Sequence, residues 1–141
     1  MNRVNQDVIN HLKPIGPVGN EKFTISIDTE GCGISYEIGS IHVSGWCSRN
    51  LRVQTIYYAE IQLELVPNPA TWISGLQQQD LENGSPKETV KNNLLAIIKD
   101  KRIITHGPVS EIFSLGLTSV DLRHLNYENV NLQTLFFTNF G

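Results

Sequence analysis

Asp28 and Glu30 are the two residues whose type and spacing most readily support chemistry. They are one residue apart at the end of the run Phe23-Thr24-Ile25-Ser26-Ile27-Asp28-Thr29-Glu30-Gly31. Phe23, Ile25 and Ile27 share one parity, so in a strand they share one face. Asp28 and Glu30 share the other parity, so both carboxylates leave the same side of the backbone. Two such carboxylates can hold a hard divalent cation such as Mg²⁺, which takes oxygen ligands and keeps some of its water. The plainer alternative is a solvated Asp-Thr-Glu turn after an ordinary strand, with Gly31 and Gly33 letting the chain reverse. The surrounding elements must decide between the two.

Several segments could position the pair. Val4, Val8, Ile9 and Leu12 have helical spacing, and Pro14-Ile15-Gly16-Pro17 ends that helix. Residues 23–28 read as a first strand. Residues 34–44 read as a second, with Gly39 marking a bulge or break in parity. A third spans 53–66, where Tyr57, Ala59, Ile61, Leu63 and Leu65 alternate with Glu60, Gln62 and Glu64. That pattern gives a sheet with one wet face. Short turns between these three strands imply an antiparallel meander. Pro67 and Pro69 end the third strand, and 68–85 reads as irregular. Ser85 as N-cap, Pro86 at the first helical position and Glu88 closing a capping box predict a helix. Its apolar stripe is Val90, Leu94, Leu95, Ile97 and Ile98, with Lys99 and Lys101 near its negative end. A short buried strand Arg102–Thr105, a helix over 109–116 and a last strand near 130–137 complete the chain. The expected fold is α/β, a mixed five-stranded sheet in the order β-β-β-α-β-α-β. Residues 1–20 are read as an N-terminal helix and extension, and 21–141 as one domain.

Composition narrows the function. The chain has 141 residues and is 40% apolar, which suits one domain with one core. A net charge of −3 argues against a surface basic all over, as a passive nucleic-acid binder would carry, but not against one local groove. No apolar run approaches the ~20 residues of a membrane span, and residues 1–20 lack the continuous apolar core of a signal peptide. Cys32 and Cys47 form neither a disulfide framework nor a zinc spacing, so free thiols in a reducing, intracellular, cytoplasmic setting are expected.

In this order the local sequences resemble the DEDD family of 3′–5′ exonucleases, which has a ribonuclease-H-like fold. The family's first motif is an apolar strand, Asp-x-Glu, a Gly-containing turn and a strand with Glu-Ile-Gly-Ala. It is matched by Ile27-Asp28-Thr29-Glu30-Gly31 and Glu37-Ile38-Gly39-Ser40-Ile41. Pro69, Gly75-Leu76, Asp80-Leu81 and Pro86 fall where the family has similar residues before its helix. The second motif, an apolar strand followed by His-Asn-x-x-Phe-Asp, is similar to Ile103-Ile104-Thr105-His106 with Glu111 at the acid position. Val130–Phe136 resembles the strand after it. Together these matches cover about residues 22–137. Three features depart from the family: Ser110 replaces the phenylalanine, Glu111 replaces the aspartate, and the turn between the first two strands is short. The third motif, a helix with a histidine and a fourth acid, has no counterpart in these residues.

The resemblance implies phosphodiester hydrolysis by two divalent ions, Mg²⁺ or Mn²⁺, ~3.5–4 Å apart. Asp28 and Glu30 would be inner ligands and Glu111 an outer one. The fourth acid and the base would come from elsewhere. His106 stands at the second-motif position and is a poor substitute base, better read as a strand-end histidine bonded to backbone. His42, Asp121 and His124 have no motif support, and Glu37 reads as a strand residue. Trp46, Trp72, Tyr57 and Tyr58 fit core or interface aromatics better than base-stacking platforms. The implied partner is single-stranded RNA or DNA, with no membrane. A protein partner or homo-oligomer is expected to cover the sheet face that the absent helix would leave open. Two alternatives stand beside the enzyme: the same fold without chemistry, as a protein- or RNA-binding module, and a small viral tail or head-completion protein.

Overall fold

A computed structural model describes residues 3–32, 37–49, 51–62, 78–106, 117 and 128–132. Its elements are α1 (Gln6–Asn10), β1 (Pro14–Ile15), β2 (Lys22–Cys32), β3 (Glu37–Cys47), β4 (Arg52–Glu60), α2 (Gln78–Glu82), α3 (Lys87–Ile98), β5 (Arg102–Thr105) and β6 (Glu128–Asn131). Five strands lie in the order β4-β3-β2-β5-β6, and β1 adds a sixth against β2. β3 is antiparallel to both β2 and β4, whereas β5 is parallel to β2 and β6 parallel to β5. The sheet is therefore mixed, as the alternation of meander and crossover predicts.

One face of the sheet is the core. Ile25, Ile27, Ile41, Val43, Tyr57 and Ala59 are buried there. α3 contributes Val90, Leu94, Ile97 and Ile98 to the same cluster, a stripe at i, i+4, i+7 and i+8. Burying one such side chain contributes roughly 1.5–3 kcal/mol. α1 adds Val8 and Leu12. The Asn5 side chain caps α1 by accepting from Val8 N–H, and the Asn5 backbone N–H donates to Ile56 C=O at 2.7 Å. Leu12 lies so near Gly45 that a Cβ there would come within 2.5 Å of Leu12 Cδ2.

Several sequence expectations need correction. Pro14–Ile15 is not only a helix stop: it pairs antiparallel with Phe23 and Lys22, which makes the sheet six-stranded rather than five-stranded. Phe23 has the parity of Ile25 and Ile27 yet is 47% exposed, because it opens the strand beside β1, beyond the reach of the core. Residues 78–82 are helical where an irregular segment was expected. The Ser85 capping box does not form. Pro86 is the N-cap and makes no side-chain cap bond, and Ser85 is buried as a bridge to the end of β4. Ser85 N–H donates to Glu60 C=O and Gln62 N–H donates to Ser85 C=O, so its backbone is engaged in sheet pairing. The strand expected over 53–66 ends at Glu60, and the last strand runs Glu128–Asn131 with Leu132 already helical, whereas the helix expected over 109–116 and residues 63–66 and 133–137 lie outside the described residues.

Candidate acid-pair site on the open sheet face

Asp28 and Glu30 are positioned by the strand with neighbours on both sides of the sheet. β2 lies between β3 and β5, at the place where the chain, having built β3 and β4 on one side, returns to build β5 and β6 on the other. In open α/β sheets, ligands bind beyond the carboxyl ends of strands at such a switch point. The acid pair is at that end of β2. The parallel register ends at Ser26↔Ile104; two residues further stand Asp28 in β2 and His106 just past the end of β5. His106 is exposed.

The register of β2, β3 and β4 places the acids in a grid. Glu30 faces Ser40, which faces Glu60; Asp28 faces His42, which faces Tyr58; Ser26 faces Ser44, which faces Thr55. Trp46 and Val53 form a further pair on this side. Directly paired residues share a face, so this is the side opposite the core. Asp28, His42 and Thr55 are exposed, and Glu30, Tyr58 and Glu60 half-buried. In β3, Gly39 has no partner between Ser40 and Ile38, which is the expected bulge. It falls opposite Glu30 and Gly31, beside the acid pair.

Hydrogen bonds knit the grid. Ser26 and Ser44 hydroxyls are 2.7 Å apart, and His42 Nε2 is 2.8 Å from Thr55 Oγ1. The His42 and Tyr58 rings meet edge to face at 6.1 Å. Tyr58 O–H donates to Glu60 Oε1 at 3.2 Å. Burial first, then the Glu60 carboxylate, raises the Tyr58 phenol above its ordinary value, with Asp80 of α2 adding in the same direction and Ser40 opposing. Neither Asp28 nor Glu30 forms an ion pair with another described residue.

Of the residues singled out by sequence, Asp28 and Glu30 are on one face, as their parity predicts. Glu111 lies outside the described residues, as do Trp72, Asp121 and His124. Tyr57 is fully buried and its hydroxyl accepts from Asn93 Nδ2, so it cannot stack on a base. The acid pair supplies two carboxylates, donors that suit Mg²⁺ or Mn²⁺. Among the described residues, no group of three or more His, Cys, Asp or Glu side chains could hold a metal ion, so the ligand set is incomplete there. His42, Thr55 and Tyr58 gain interest from the structure. The signal for His42 was pairing: β2 and β3 read as a hairpin across Gly31 and Gly33 bring it opposite Asp28.

No family model matches the chain, and no curated protein matches it. Among solved structures it is similar to one described as 3′-end specific recognition of histone mRNA stem-loop by 3′-exonuclease. The TM-score is 0.51 at 13% sequence identity, over 66% of this chain and 52% of that one. The chain thus spans about half the length of that protein. The likeness shows an exonuclease-like fold.

Proposed function

We propose that the chain is an exonuclease-like, nucleic-acid-binding domain that acts on single-stranded RNA or DNA by metal-dependent hydrolysis from the 3′ end. The carrying observation is the acid pair Asp28 and Glu30 on the open face of β2, at the carboxyl end of the strand where the sheet switches direction. The strand order, with antiparallel β3 beside a parallel β2-β5-β6 set, supports a ribonuclease-H-like reading of the fold. The fold likeness to a 3′-exonuclease supports the substrate class.

Asp28 and Glu30 would hold Mg²⁺ or Mn²⁺, with Glu111 as a third ligand. Held there, such a cation would activate water for attack and supply positive charge for the leaving 3′ oxygen. The two carboxylates fix where that charge sits, because a central strand paired on both sides cannot shift without breaking ladder bonds. They also hold phosphate off the face in the absence of a cation, since like charges repel.

Calorimetric titration of Mn²⁺ into the wild type and Asp28→Ala tests this reading. Binding heat is expected for the wild type and its loss in the variant. Equal, negligible heats in both would sink the metal site. A 3′-labelled single strand, with and without chelator, then separates chemistry from binding. The incomplete ligand set among the described residues favours a second reading, a nucleic-acid-binding module without catalysis. Binding of the labelled strand with no chelator-sensitive shortening would select it.

A further inference from the structure

His42 stands where the open face meets the acid pair. It is directly opposite Asp28, and such cross-strand partners hold their Cβ atoms about 4.5–5.5 Å apart. Its side chain is exposed yet held from two directions: Nε2 against Thr55 Oγ1 at 2.8 Å, and the ring against the Tyr58 ring with an interplanar angle of 85°. Thr55 is itself exposed, so the bond between it and His42 does not serve to satisfy a buried group. An imidazole oriented in this way on a wet surface is preorganised for a ligand.

We infer that His42 is a substrate-positioning residue of the acid-pair site, holding a phosphodiester oxygen of single-stranded nucleic acid beside Asp28. The inference rests on the reading of Asp28 and Glu30 given above. Carboxylates cannot contact a phosphate directly, so the strand needs a neutral or positive donor close by. With Nε2 engaged by Thr55, Nδ1 is the nitrogen left to a ligand. In the tautomer where the Thr55 hydroxyl donates to Nε2, Nδ1 carries the hydrogen and donates to the phosphate oxygen. Thr55 acts through His42 by fixing the orientation of the ring.

The test is anisotropy of a fluorescein-labelled single-stranded oligonucleotide, RNA and DNA in separate arms, with Ca²⁺ present to hold the strand without turnover. The proteins are wild type, His42→Ala, His42→Gln, His42→Asn and Thr55→Val, with melting temperatures measured alongside. His42→Ala and His42→Gln are expected to weaken binding about tenfold or more, the scale of a hydrogen bond to a charged group. His42→Asn, whose amide nitrogen can take the place of Nδ1, is expected to stay within about threefold of wild type, a partial rescue of that bond. Thr55→Val should fall between them, all with near wild-type melting. Wild-type affinity in His42→Ala would overturn the inference. So would weakened binding that tracks a fall in melting temperature and is not rescued by asparagine. A wild type that takes up Mn²⁺ but binds no oligonucleotide overturns the role of His42 and leaves the metal site standing. His42-dependent binding without Mn²⁺ uptake does the reverse.

Discussion

Tyr58 illustrates how a single side chain on the open face ties function to stability. Its phenol is half-buried and donates to Glu60, and burial followed by the Glu60 charge raises its pKa above the ordinary 10.0. The folded protein therefore keeps the phenolic proton to higher pH than the unfolded chain does. The resulting stabilisation is full below pH 10.0 and is lost as pH rises through the folded value. Urea unfolding across about pH 9–11.5 should show a fall in stability that Tyr58→Phe flattens. At neutral pH, Tyr58→Phe should cost about 1 kcal/mol, the typical net worth of one hydrogen bond. A variant as pH-sensitive as wild type would place the alkaline transition elsewhere. The alternation at 57–60 could be read from sequence, and it separated buried Tyr57 from half-exposed Tyr58. The Glu60 and Asp80 environment of Tyr58 could not, because Asp80 is brought in by a helix some twenty residues further on.

Among the elements, the approach to α3 packs directly against the end of β4. At Gly84 a Cβ would meet Glu60 O at 2.6 Å, Ile61 C at 2.7 Å and Gln62 N at 2.8 Å. All three are backbone atoms with no rotamer to yield, so Gly84→Ala should destabilise by about 1–3 kcal/mol in denaturant unfolding. The Ser85 signal shows why local chemistry misleads here. Ser-Pro-x-Glu does resemble a helix start, but Glu60 C=O and Gln62 N–H nearby compete for the Ser85 backbone and win. By contrast, β5 emerges within the bounds expected from Arg102-Ile103-Ile104-Thr105, since a short apolar run between turn residues has few other fates. β6 is fastened differently. Glu128 pairs with Lys22 of β2 at 2.6 Å and with Arg102 of β5 at 3.5 Å. The hydrogen bond from Lys22 holds its carboxyl below the ordinary value. That contribution is present above pH 4.5 and is lost as pH falls through the folded value. The protection factors of amides 128–131, taken against intrinsic exchange at each pH, should therefore fall on acidification, and Glu128→Gln should remove most of that pH dependence.

For the whole molecule, α1 belongs to the same core as the sheet. Val8 and Leu12 are buried beside Ile41, Ile56 and Leu94 in one cluster. Arg49 of the β3–β4 turn clasps α1 through Asp7 at 3.2 Å and His11 at 2.7 Å. Leu12→Ala should cost about 2–5 kcal/mol and lower a single unfolding transition. A separate early transition for residues 3–12 would instead mark α1 as an independently docked arm. Helical spacing made α1 legible in sequence. Its destination was not, because an isolated apolar stripe does not say which face of which sheet it covers.

The position of β5 has a consequence during synthesis. Residues 24–26 pair with 102–104, so the core-lining centre of β2 keeps one edge bare until a strand ~40 residues beyond β4 has been made. β1 closes only the first two positions, at Lys22 and Phe23. From the end of β2 to the end of β5 the ribosome adds about 70 residues, so at about 5–20 residues per second that edge stays open for about 4–15 s. An unpaired apolar strand is a template for pairing between nascent chains. Expression at low temperature or with holdase chaperones should therefore raise soluble yield more for this chain than its folded-state stability alone would suggest.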